Sequence, residues 1–323
     1  MQEFGFECRL CAHLEATDDA IVARQLGAGV RRPGRRVVDI VQVEPGPAFD
    51  DRAALTAETI PREALAADVG TGRYRYWKDA FRGLELPFER CRTAMERAVE
   101  IGFFEARRRR GRTHVRQTAR YPTDWFDRIL AVENKPDLGR PGALGRQLRT
   151  DVCLGLCDAV VLATASHVTG AHLNRLPAAV GVWRFDPETD ELTVVREPQP
   201  LAVREAGIEI VDERIGRTEI RVVSGAEKAT RRRILAERAY GKGWRTYEFP
   251  ACGHMTPSTE AALPSCAFYD RVVDPTADCG EACPGYEPAD SPTVDTRAVR
   301  DRRSPWVRDP PGRVHDQSRL DRY

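Results

Sequence analysis

A chain of 323 residues with 41% hydrophobic and 31% charged side chains is long enough for about two packed cores and too polar for a membrane-embedded bundle. Its formal charge of +1 excludes a polycation that holds nucleic acid by bulk charge, so any such binding must come from local clusters. No stretch of eighteen apolar residues occurs. The N-terminus MQEFGFECRLCAHLEATDD also lacks a basic segment followed by an apolar one, so a cytoplasmic protein with no membrane partner is expected.

In chain order, residues 2–15 read as a helix whose Phe4, Cys8, Leu10, Cys11 and Leu14 share one apolar arc at about 3.6 residues per turn. Glu7 falls inside that arc, between Leu14 and Cys11, where a solvent-facing glutamate would not be placed. Residues 20–27 and 36–43 read as strands, and residues 51–101 as helical stretches that Gly102 ends. A hairpin follows, turning at Arg110-Gly111. Residues 128–134 read as a strand closed by Pro136, residues 142–156 as a helix, and residues 158–165 as a buried strand. Further strands fall within 180–223, and a basic helix spans 225–240. From residue 250 the chain is irregular and rich in Cys and Pro, and after 288 its polar composition predicts disorder.

Removing residues 45–125 leaves the order helix, strand, strand, strand, helix, strand. The expected plan is therefore an α/β core from 1–44 and 126–180, with 45–125 inserted into it. An α/β extension at 181–250, a cysteine module at 251–288 and a disordered tail at 289–323 complete it.

Three residues carry chemistry in that core. Asp39 is the single charge in the apolar run VVDIVQV, and a lone buried carboxylate is costly unless it is paired or binds a metal. In AVENK, Glu133 and Lys135 stand two residues apart on a strand and so share a face. Hydrolysis of a phosphodiester needs such a set: hard oxygen ligands for a divalent cation, and a group that holds the attacking water. Asp39 and Glu133 are the expected ligands of Mg²⁺ or Mn²⁺, Lys135 the water-positioning group, and Glu7 a further ligand or an acid behind one.

The segments VVDIVQV, AVENK, the helix with Gln147, and CDAVVLAT together resemble the PD-(D/E)XK nuclease superfamily over roughly residues 1–44 and 126–180. The resemblance implies an αβββαβ core and Mg²⁺-dependent cleavage of nucleic acid. Gln147 resembles the glutamine that the helicase-associated branch carries after its lysine. Asp151 stands where that branch has a tyrosine, and Val38 stands in place of the proline before the aspartate. Pro122-Thr123-Asp124 offers that proline, but at a turn. The segments ECRLCAHLEAT, WKDAFRG and ENKPDLGRPG also resemble an uncharacterised family of haloarchaeal proteins.

Within the insert, LPFERCRTAMERAVEIGFFEARRRRGRTHVRQT resembles a winged helix. Pro87 suits a first helical turn, and Cys91, Ala94, Met95, Ala98 and Val99 form a core-facing stripe. Arg107, Arg108, Arg109, Arg110 and Arg112 crowd the hairpin turn, which would lie on a phosphate backbone and makes DNA the expected partner. Arg231, Arg232 and Arg233 form a second cluster suited to phosphate.

The chain has nine cysteines, expected as thiols or metal ligands and not as disulfides. Cys252, Cys266, Cys279 and Cys283 fall in one stretch with little apolar content, which predicts a structural Zn²⁺ or an iron–sulfur cluster, with His254 as a substitute ligand. Cys8, Cys11, Cys153 and Cys157 read as core, and His167 and His172 as structural. The resulting expectation is a metal-dependent nuclease acting on DNA in repair, processing or defence. The alternative is a non-catalytic DNA-binding regulator or adaptor built on the same core.

Overall fold

Six of the runs that read as strands assemble into one mixed sheet in the computed structural model, which describes residues 2–31, 36–139 and 143–311. The chain divides into two compact units, Met1–Glu44 with Arg128–Pro305, and Pro45–Asp127 with Trp306–Tyr323. Among the described residues no helix is long and apolar enough to cross a membrane.

The first unit is built on a six-stranded sheet of order β1-β2-β6-β7-β8-β9. Strands β1 (Ile21–Gly27) and β2 (Val37–Pro45) pair antiparallel, with Ile21 opposite Val43. β6 (Phe126–Asn134) and β7 (Ala159–Thr164) run parallel, with Leu130 opposite Ala159. β8 (Gly181–Asp186) continues parallel to β7, and β9 (Glu191–Arg196) turns back antiparallel. The core therefore does not stop at residue 180: buried Val182 and Phe185 complete the same sheet, because a parallel strand whose neighbour is wholly apolar needs cover on its open edge.

Helix α1 (Glu3–Thr17) covers one face. Its Phe6, Leu10, Cys11 and Leu14 pack on Val22, Ile40, Leu130, Val132 and Val161. Each such side chain removed from water stabilises the fold by about 1.5–3 kcal/mol. Helix α6 (Leu144–Leu154) ends at Gly155, which adopts a left-handed backbone, φ 56°. Helix α8 (Gly225–Lys242) starts in a capping box between Ser224 and Glu227. Its Arg231 and Arg232 are buried, contrary to the expectation that this cluster serves phosphate. Arg231 donates to Gly27 O, and Arg232 donates to Leu156 O and Asp158 Oδ2, both at 2.7 Å. Guanidinium forks satisfy carbonyls at strand ends and thereby leave the surface.

Strands β10 (Gly207–Arg214) and β11 (Arg217–Val223) form a separate hairpin. Past residue 250, β12 (Ser265–Cys266) pairs with β13 (Arg271–Val272), and a short helix α9 spans Pro275–Asp278. The tail expected to be disordered after 288 instead forms helix α10 (Thr296–Arg303). Arg300 is buried and donates to Tyr240 O at 2.7 Å, at the end of α8, where a helix runs out of backbone donors for its last carbonyls. Arg303 donates to Ala12 O at 3.1 Å. The order comes from arginines bound to carbonyls, which composition does not reveal; the remainder of the tail, residues 312–323, lies outside the described residues.

In the second unit, the helical stretch expected over 51–101 is broken into α2 (Phe49–Ala53), α3 (Arg62–Ala66), α4 (Trp77–Ala80) and α5 (Phe88–Glu100). A short strand, β3 (Arg75–Tyr76), interrupts them. The stripe Cys91, Ala94, Met95 and Ala98 faces a core with Phe81, Phe103, Phe104 and Val115. β4 (Phe104–Arg109) and β5 (Arg112–Gln117) pair antiparallel, and the sheet order is β3-β5-β4. Arg110 and Gly111 both have positive φ, 50° and 74°, as a two-residue hairpin turn requires. The ends of the unit are stitched together: Gly46 N–H donates to Trp125 O at 2.9 Å, and a Cβ at Gly46 would stand 2.4 Å from Asp124 O.

Candidate active site

Strand alternation decides what β6 presents. Leu130 and Val132 lie in the core under α1, so Asn134 points to the same side while Glu133 and Lys135 point to the other. Asn134 Nδ2 donates to Glu7 Oε2 at 2.7 Å, and its backbone N–H donates to Asp39 Oδ2 at 2.9 Å. Asn134 Oδ1 is buried and has no protein partner.

Glu7 is 3% exposed, and its cost of burial is offset by bonds. Arg24 Nε donates to its Oε1 at 2.6 Å, and Gln25 Nε2 to its Oε2 at 3.0 Å. Gln25 Nε2 also lies 3.3 Å from Asp39 Oδ1, so one amide joins the helix carboxylate to the strand carboxylate. Gln25 achieves this with a left-handed backbone, φ 53°, inside β1. For a residue other than glycine this conformation is strained, and it persists only where the surroundings fix it.

On the other side of β6, Arg36 Nη2 donates to Glu133 Oε2 at 2.6 Å, and the same guanidinium pairs with Asp151 on α6. Burial pushes Asp39 up to about 6, with the backbone N–H of Asn134 opposing it and the charge of Glu7 adding to it. Burial likewise pushes Glu133 up to about 7, reinforced by the neighbouring Asp39. Asp151 is raised by burial against the pull of Arg36. When all are ionised, the four carboxylates Glu7, Asp39, Glu133 and Asp151 exceed the two bonded guanidiniums, Arg24 and Arg36, by two charges. A bound divalent cation would offset such an excess, but among the described residues no three of these carboxylates are arranged around one point, and Asn134 Oδ1, left without a partner, lies on the α1 side of β6, away from Glu133.

Lys135 follows the last residue of β6, anchored by its N–H on Ala163 O at 2.8 Å. Its side chain has no hydrogen bond or ion pair among the described residues. Gln147 is not bonded to the carboxylates; it lines a cleft of about 250 Å³ together with Arg31, Arg36, Arg146 and Thr150. Sequence reasoning missed Gln25, Asn134, Arg36 and Asp151 as partners of the carboxylates. Asp151 had a signal, a charged residue on the apolar side of a helix, whereas Asn134 and Arg36 are polar residues at strand ends and Gln25 is a polar residue inside a strand.

Arg107, Arg108, Arg109, Arg110 and Arg112 are exposed on the β4–β5 hairpin, and none has an acidic partner among the described residues. Arg109 and Arg112 are direct cross-strand partners, a like-charge arrangement that costs stability unless an anion lies over it. Arg107 lies over the Tyr74 ring at 4.4 Å and Arg112 over Tyr76 at 5.4 Å, which stiffens the display.

All nine cysteines are free. Burial raises the Cys8 and Cys157 thiols to about 12 and pushes Cys11 well above its ordinary value, as inert core positions require. Cys153, expected in the core, is exposed, because it falls on the outer side of α6. Cys252, Cys266, Cys279 and Cys283 line one small pocket with Met255, Tyr269 and Tyr286. His254 does not line it and stands 3.5 Å from Glu287. Among the described residues, no group of three or more His, Cys, Asp or Glu side chains is already arranged to hold a metal ion.

One family profile matches the chain, over residues 21–288, and its description is a family of unknown function. No curated protein matches the chain. No solved structure matches it either.

Proposed function

The chain belongs to that family of unknown function, DUF5787, and from its own residues we propose that it is a divalent-metal-dependent nuclease cleaving phosphodiester bonds in DNA. In this reading the first unit is a PD-(D/E)XK-like core, and the insert is a winged-helix-like unit that holds DNA. The observation that carries the reading is the pair of buried carboxylates Asp39 and Glu133 at the β2–β6 seam, with Lys135 two residues beyond Glu133 along the chain and its side chain without a hydrogen bond or ion pair among the described residues.

Asp39 and Glu133 would hold Mg²⁺ or Mn²⁺, which supplies hydroxide near neutral pH and offsets charge at the phosphate. Glu7 keeps Gln25 and Asn134 oriented and so fixes the rotamer of Asp39. Lys135 would hold the attacking water by donating a hydrogen bond to it. Arg31, Arg36 and Arg146 line the adjoining cleft beside Glu209, Asp212 and Glu213, so guanidiniums would be within reach of a phosphate there without making the cleft cationic as a whole, and Gln147 offers an amide. In the insert, α5 and the arginine-tipped hairpin supply a groove-binding helix and a backbone clamp. The nine unpaired cysteines suit a reducing cytoplasm.

A non-catalytic DNA-binding regulator or adaptor is the second reading. Arg36 favours it, since its guanidinium already pairs with both Glu133 and Asp151 and offsets one of their two charges without a metal. Cleavage of duplex, single-stranded and branched DNA with and without Mg²⁺ or Mn²⁺ separates the two. The nuclease reading expects Asp39→Ala and Glu133→Ala to fall to background and Lys135→Ala to lose about 10²–10⁴-fold. DNA affinity should stay within a few-fold of the parent. Tight DNA binding with no metal-dependent cutting would leave the regulator.

A further inference from the structure

The segment 251–288 cannot hold itself by apolar packing. Among the described residues its own buried cluster is Met255, Cys266 and Val273 and its paired strands are two residues long, while its Ala261, Leu263 and Val272 are buried by joining the core under α1. A core that small does not offset the backbone entropy of ordering such a stretch, about 1–2 kcal/mol per residue. Yet the segment is built, and its four cysteines arrive at one pocket from three separate places. Cys252 sits in an isolated bridge with Pro288, and Cys266 ends β12. Cys279 and Cys283 flank a turn in which Cys283 N–H donates to Gly280 O at 3.0 Å, with Gly280 at φ 141°. Tyr269 OH lies 3.5 Å from Cys283 Sγ, and no sulfur is in a disulfide.

We propose that Cys252, Cys266, Cys279 and Cys283 bind one Zn²⁺ that fastens the segment 251–288 onto α1. The four sulfurs are the soft, charge-capable ligands a tetrahedral structural zinc takes, and they exclude hard cations such as Mg²⁺. With four thiolates the site is closed, so it is structural and independent of the carboxylate cluster. Binding releases up to four protons to solvent and leaves a centre of net charge −2. The thiols must draw together around the ion as it binds, since among the described residues no three of them are arranged around one point. The attachment to α1 is direct: Val272 of β13 is in the α1 core, and Gly5 lies so close to Val272 O that an added Cβ would be 3.2 Å away. Arg271 and Asp278 reach Gln2 at the start of the same helix. The zinc therefore steadies the helix that carries Glu7.

Full-length protein purified without chelator is expected to carry about one zinc per chain by elemental analysis and native mass spectrometry. Cys279→Ser or Cys283→Ser should bring that ratio near zero, while the exposed Cys153→Ser keeps it. The four thiols should resist alkylation until zinc is stripped, a readout that needs no variant to fold. Cobalt exchanged into the protein should show the visible absorption of a tetrahedral thiolate site. Stripping should also speed hydrogen exchange in α1; exchange unchanged there would overturn the fastening. A metal-free folded chain, disulfides among these cysteines, or iron with matching sulfide would overturn the zinc assignment. None of these outcomes depends on whether the protein cleaves DNA.

Discussion

Asp39 and Glu133 hold their protons more tightly in the folded chain than in the unfolded one, where such carboxyls titrate near about 4. Between that value and their folded values of about 6 and about 7, the native state carries the extra protons. Stability therefore falls as pH rises through this window, and the loss is complete above it. In metal-free protein the melting temperature should decline from pH 5 to pH 8, and Glu133→Gln should flatten the decline. A variant slope equal to the parent's would show that Glu133 is not the group responsible. The positions of Asp39, Glu133 and Glu7 were legible because a charge inside an apolar pattern has few explanations. Their partners were not. Gln25 acts through a left-handed kink that appears only when β1 is laid against β2, and Arg36 precedes its strand with no periodic signal.

At the scale of elements, the hairpin β4–β5 carries the clearest consequence. Five guanidiniums without acidic partners among the described residues surround one turn, and two of them face each other across the strands. If phosphates are what they meet, replacing Arg108, Arg109 and Arg110 by alanine should weaken DNA binding alike on all sequences. The slope of log affinity against log salt should drop by roughly one unit for each phosphate no longer neutralised. An unchanged slope would leave the turn as solvated surface. Elements with strong periodicity were readable from the sequence: the strand expected at 20–27 lies at Ile21–Gly27, and the stripe on α5 faces its core. Elements held by other means were not. Two-residue β3 has no period to read, and α10 is ordered by Arg300 and Arg303 binding carbonyls.

For the molecule as a whole, two units with separate cores should respond separately to heat. Calorimetry is expected to resolve two transitions, and Met95→Ala, a cavity in the second core costing about 2–5 kcal/mol, should lower only one of them. A common shift of both would mean that the units unfold as one. The ends of the second unit, stitched at Gly46 and Trp125, connect to β2 and β6, which are neighbours in the first unit's sheet. A segment attached to adjacent strands behaves, once melted, as a closed loop. The entropy of such a loop grows only with the logarithm of its length, about 0.6 kcal/mol per doubling. Whatever occupies that position is thus nearly invisible to the sheet that carries it: the insert can be lengthened at little thermodynamic cost to the strands on either side of it.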